Sequence, residues 1–170
     1  ADRNSGVQIL DISDPERPRI VGAYDTPGIS VGVTVENNFL LVADESGGLL
    51  RFDITHPLNP ILQSSLQSGF AKCAAVAGPF AFLGDWSKGL FMLNLSDPKL
   101  PWTMKNWRGG QGEGVLVAGN LICVADGSSG FSLFRADKLN GLQNHPPVVS
   151  PIDDQTVDVD NTLSLVLSAT

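Results

Sequence analysis

The feature that most restricts how this chain can fold is an internal repeat. Four segments align, Gly6-Val-Gln-Ile-Leu-Asp11, Gly48-Leu-Leu-Arg-Phe-Asp53, Gly89-Leu-Phe-Met-Leu-Asn94 and Gly130-Phe-Ser-Leu-Phe-Arg135, with their glycines 42, 41 and 41 residues apart. Asp14-Pro15, His56-Pro57 and Asp97-Pro98 step by 42 and 41, and Ala43-Asp44, Gly84-Asp85 and Ala125-Asp126 step by 41 twice. Ala1-Asp2, 42 residues before Ala43, reads as the end of one further copy. Three markers in a single phase identify tandem units, each of which must bury its faces against its neighbours.

Within one period the residues read as strands separated by turns. Val31, Val33 and Val35 alternate, Asn37-Asn38 turns, and Phe39 to Ala43 is an apolar run suited to a strand covered on both faces. Asp44 to Gly47 turns again, Leu49 to Ile54 is a third strand, Pro57 to Pro60 breaks it, and Ile61 to Leu66 is a fourth. No stretch keeps a helical period, and the 18 Gly and 11 Pro in 170 residues favour many short elements. The expectation is an all-β fold of four-stranded antiparallel units, the signature of a β-propeller blade. With strands lettered A to D from the centre outward, 6–24 supply C and D, 31–66 and 72–107 are whole blades, and 113–135 supply A, B and C. A ring closes at about four to eight blades, so the reading expects a segment of a longer chain that begins mid-blade. Its unpaired edges would favour aggregation.

The order of a Gly-led strand, an Asp-Ile/Leu-Ser/Thr-x-Pro turn, a Pro-led strand, a Gly-Val-x-Val strand and an apolar strand ending in Val-Ala-Asp resembles the LVIVD repeat. The best copy runs from Gly6 to Asp44. The resemblance implies a propeller fold and a surface or secreted protein of bacterial or archaeal type, and it carries no shared catalytic motif. His56 and Asn94 stand where other copies have Asp, and the stretch bearing Trp102 is a poorer strand than Arg19 to Tyr24. Blades are accordingly assigned to 1–136 and a linker to 137–147. Residues 148–170, with Pro146-Pro147 and Leu163-Ser-Leu-Val-Leu167, resemble the start of a cadherin-like or Ig-like sandwich module. Such modules often bind calcium, so calcium is a possible ligand of the parent chain, although Val159-Asp160 replaces the usual Glu-Gly.

An acid that recurs in every copy serves the backbone turn that recurs with it, so Asp44, Asp85 and Asp126, like Asp11, Asp53, Asp14 and Asp97, are read as structural. Function should sit where copies differ, on the face formed by the D–A and B–C connections. There lie Asp25, Glu45, Lys72, Asp85, Trp86, Lys88, Arg108, Gln111 and Glu113. Lys72 beside Glu113 reads as a rim ion pair or as a polar grip on a ligand. Trp86 and Arg108 are suited to stacking on a sugar or peptide, with Trp86 as a mere cover for a blade edge the competing reading. The binding candidates are therefore Lys72, Trp86, Arg108 and Glu113. Cys73 and Cys123 fall at different repeat positions and read as small buried residues. His56 and His145 lack partners at metal-ligand spacing, and no catalytic set, phosphate loop or nucleotide fingerprint appears.

A net charge of −7 without a basic patch argues against nucleic acid, and no apolar run reaches the roughly 18 residues of a membrane span. The favoured expectation is a non-catalytic scaffold, extracellular or on the cell surface, that contacts protein or carbohydrate and needs no cofactor. The alternative is part of a propeller enzyme, of glycosidase, lyase or quinone-dependent dehydrogenase type, with its active site mainly in other blades.

Overall fold

A computed structural model describes residues 1–99, 102–107, 110–137 and 148–151. Blade 1 contributes β1 (Val7–Asp11) and β2 (Arg19–Tyr24). Blade 2 is β3 (Gly32–Glu36), β4 (Phe39–Ala43), β5 (Leu49–Asp53) and β6 (Ile61–Leu66). Blade 3 is β7 (Ala71–Ala77), β8 (Phe80–Asp85), β9 (Gly89–Asn94) and β10 (Trp102–Trp107). Blade 4 is β11 (Gly114–Ala118), β12 (Leu121–Ala125), β13 (Phe131–Asp137) and β14 (Val148–Pro151). Each sheet is an antiparallel meander in sequence order, with β3, β7 and β11 side by side as the inner strands. This is a partial β-propeller, and the one helix among the described residues is a single 3-10 turn at Gly127–Ser129.

The repeated glycine opens every C strand for a backbone reason. Gly6, Gly48, Gly89 and Gly130 have φ of 68°, 80°, 82° and 82°, in the left-handed region that a side chain resists. At Gly48 a methyl group would also run into the Leu66 carbonyl of the neighbouring strand. The extra copy at the N-terminus obeys the same geometry: Asp2 N–H donates to Gly6 O at 2.8 Å, as Asp44 N–H does to Gly48 O at 2.9 Å and Asp126 N–H to Gly130 O at 2.8 Å.

Period-two alternation then distributes the core between blades. On β8, Phe80 and Phe82 pack forward against Ile122, Val124 and Phe134 of blade 4. Ala81 and Leu83 pack backward against Leu41, Ala43 and Leu49 of blade 2. Leu40, Val42, Leu50 and Phe52 of blade 2 meet Val7 and Tyr24 of blade 1. Arg51 occupies a C-strand position held elsewhere by Ile9, Met92 and Leu133, and it turns this into a polar tie: Nη1 donates to Leu95 O at 2.7 Å while the guanidinium lies 4.5 Å from the Phe39 ring centre.

One boundary needs correction. The fourth blade, read from sequence as three strands, has a fourth, because Val148–Pro151 pairs with β13 from Phe134↔Pro151 to Asp137↔Val148. The sequence pattern alone assigns those residues to the following sandwich module. A proline precedes the D strand in each copy, Pro18, Pro60, Pro101 and Pro147, with steps of 42, 41 and 46 residues. The longer final step put this strand out of phase with the repeat. Residues 138–147 and 152–170, including the rest of the cadherin-like or Ig-like assignment, lie outside the described residues.

Among the described residues, apolar side chains on the forward face of blade 4 are exposed. Phe131 is 57% exposed, whereas its counterparts Leu49 and Leu90 are each 2% exposed, and Leu116 on β11 is exposed too. A Phe131→Glu chain should therefore self-associate less than the parent while melting within a few degrees of it. Sedimentation velocity over a concentration series, with a thermal melt beside it, checks both parts; unchanged association would show that this face is not the sticky one.

Candidate functional site

The acids that end the B strands are buried and engaged. Asp44 accepts hydrogen bonds from Thr26 Oγ1 at 2.6 Å, Ser30 Oγ at 2.8 Å and Gly28 N–H at 2.7 Å. Asp85 accepts from Phe70 N–H at 2.8 Å, Ser87 N–H at 2.9 Å, Ser87 Oγ at 2.7 Å and Lys88 N–H at 2.9 Å. Asp126 accepts from the Ser132 hydroxyl. Burial alone would raise the Asp85 pKa. The Ser68 and Ser87 hydroxyls and the N–H groups of Ser87 and Phe70 outweigh that and hold the carboxyl below its ordinary value, although Ser68 Oγ makes no hydrogen bond of full geometry.

Asp44 and Asp85 thus latch the D–A connection entering a blade onto that blade's B–C turn. A further marker falls out of this contact: Gly28, Gly69 and Gly110, spaced by 41 and 41, lie directly over the three carboxylates, where a methyl at Gly28 or Gly110 would collide with the acid. At the C-strand ends Asp11 accepts from Ser13 N–H at 3.0 Å and Asp53 from Thr55 N–H at 2.8 Å. Asn94 accepts from Ser96 N–H at 2.8 Å, so its side-chain oxygen does the work of the Asp it replaces.

Every B–C turn reads Asp-x-x-x-Gly, namely Asp2 to Gly6, Asp44 to Gly48, Asp85 to Gly89 and Asp126 to Gly130. In three of them the residue after Asp has positive φ, Arg3 at 49°, Glu45 at 41° and Gly127 at 56°. Trp86 does not, and its N–H donates instead to Phe70 O at 2.9 Å. At this turn two aromatic side chains lie on the surface, Trp86 45% and Phe70 42% exposed, with ring centres 6.4 Å apart and planes at 65°. Beside Trp86 opens a groove of about 560 Å³ lined by Ser87, Lys88, Gln111, Ser128 and Ser129, with Gly110 in its wall. The Lys88 ammonium is already tied to the Ser68 carbonyl. Ser128 and Ser129 were not singled out from sequence; their signal is that the blade 4 turn carries two small hydroxyl residues where blade 3 has Ser87-Lys88.

Lys72 pairs differently from the expectation. Its Nζ lies 2.8 Å from Glu45 Oε1, a half-buried pair across blades 2 and 3. The reason is backbone pairing: Glu45 and Ala71 exchange two N–H···O bonds of 3.1 Å, which brings the residue next to Ala71 onto Glu45. Glu113 is exposed and its N–H donates to Ala125 O at 2.9 Å. Lys72→Met should cost less than about 1 kcal/mol, with the difference shrinking in high salt; paired urea titrations at low and high ionic strength measure it. Arg108 lies outside the described residues.

Both cysteines are free. Burial pushes the Cys73 thiol up to about 11, which leaves it protonated and unreactive near neutral pH. Among the described residues no group of three His, Cys, Asp or Glu side chains is placed to hold a metal ion, and no helix is long and apolar enough to cross a membrane.

The LVIVD repeat model matches residues 1–26, 27–67, 68–107 and 109–133. Comparison with curated proteins finds no match. The family units 27–67 and 68–107 enclose β3 to β6 and β7 to β10, so each unit is one blade together with the connection leading into it. Four successive units in register with four blades place this chain in the LVIVD repeat family.

Proposed function

We propose that this LVIVD-repeat scaffold is non-catalytic, works outside the cell or on its surface, and contacts protein or glycan through the loop face around Trp86. The observation that carries the reading is the Trp86 turn. Among four turns of one sequence pattern it alone lacks positive φ after the Asp, and it presents two half-exposed aromatic rings beside a groove. Exposed large aromatics on rigid turns are the usual anchors of recognition. The carboxylates of Asp44 and Asp85 are occupied by hydroxyl and backbone donors, so neither is free to serve as an acid or base. No cofactor enters the proposal, and calcium is left to the sandwich-type module of the parent chain.

The test is biolayer interferometry of the 170-residue chain on an immobilised N-glycoprotein and on the same protein after enzymatic deglycosylation. Binding to either surface that falls at least tenfold in Trp86→Ala supports the site. Equal binding by parent and variant would remove Trp86 from the contact.

A further inference from the structure

Resting on that reading, we infer that the groove beside Trp86 takes a neutral oligosaccharide. Its volume of about 560 Å³ falls in the range of small-ligand sites and has room for two or three sugar rings. The π face of Trp86 is electron-rich, and the C–H groups on one side of a pyranose ring carry partial positive charge, so the two surfaces attract as they exclude water. The Phe70 ring, 6.4 Å away with its plane at 65° to the indole, and the hydrogen bond from the Trp86 backbone N–H to Phe70 O hold this platform before any ligand arrives.

The other walls argue for hydroxyl groups. Ser128, Ser129 and the Gln111 amide offer donors and acceptors together, which matches sugar hydroxyls that also do both. Gln111 is positioned over the neighbouring turn: its Oε1 lies 2.6 Å from where a Cβ on Gly127 would sit, and Gly127 itself has a φ of 56°, which favours glycine. Asp85 is held by four donors within the protein, and the Lys88 ammonium gives one of its three N–H donors to the Ser68 carbonyl. With a net charge of −7, the chain as a whole disfavours an anionic ligand. A peptide adding as a strand would seek a free sheet edge, whereas the residues around this groove come from turns and connections.

Isothermal titration of the full chain with maltohexaose, cellohexaose and mannohexaose, with polygalacturonate and a proline-rich decapeptide alongside, decides the matter. Expected is binding of at least one neutral hexasaccharide, altered less than twofold between 50 and 500 mM salt. It should be lost in Trp86→Ala and weakened about tenfold in Gln111→Ala, both variants giving the parent's circular dichroism. Preference for polygalacturonate with steep salt dependence overturns the inference. Peptide binding that needs Trp86, with no hexasaccharide binding, overturns it while leaving the scaffold reading standing. Hexasaccharide binding that survives in Trp86→Ala overturns both, as does an absence of binding to every probe together with an unchanged glycoprotein contact in Trp86→Ala.

Discussion

Asp85→Ala is expected to lower the unfolding free energy by roughly 2–4 kcal/mol, because four part-buried donors lose a charged acceptor at once. Against a total of about 5–15 kcal/mol for ordinary domains, that is a large fraction. Asp85→Asn keeps one acceptor oxygen and should cost about half as much. The dependence on pH follows from the lowered pKa. The folded form binds its proton less readily than the unfolded chain, so the stabilisation is present above the unfolded carboxyl value of about 3.9 and is lost as pH falls through the folded value. Urea titrations at pH 7 and pH 3 measure it: the gap between parent and Asp85→Ala should be smaller at the second than at the first. A gap that stays constant would mean that the charge is not what holds the latch.

Phe82→Ala should cost about 3–5 kcal/mol, since the ring is 0% exposed and packed among Phe80, Leu90, Met92, Ile122, Val124 and Phe134. The location matters more than the size. The void would open between blades 3 and 4, and in a stacked array stability is a sum of unit and interface terms. Amide exchange in β11 to β13 should therefore accelerate far more than in β4 and β5, whose cores lie one and two interfaces away. Uniform acceleration across the chain would show that the blades unfold as one unit. The cluster also holds Trp107, whose ring lies 5.6 Å from that of Phe134, so its fluorescence offers a local probe of the same opening.

Much of this architecture was legible from local chemistry, because the repeat writes its turns in residues with few substitutes. The glycines at 6, 48, 89 and 130 are required by positive φ, and the acids at 44, 85 and 126 by donors that must be satisfied in every copy. What escaped were contacts set by neighbouring copies rather than by the chain's own period. Lys72 meets Glu45 because a backbone bridge crosses between blades, a pairing that no within-copy alignment reveals. β14 escaped because the connection before Pro147 is five residues longer than the one before Pro101, so the strand fell out of phase. The groove depends on Trp86 adopting a backbone shape unlike its equivalents, which its sequence pattern, shared with them, does not announce.

Alternating side chains give each blade a front and a back that cannot be exchanged. Slipping the whole of β8 by one residue would turn Phe80 and Phe82 toward blade 2 and Ala81 and Leu83 toward blade 4, ruining two cores at once. An extra residue is therefore admitted only where the ladder bulges, as between Ala71 and Cys73, or in the connections, of which the one before Pro147 is the longest, with a proline step of 46 residues against 41 and 42.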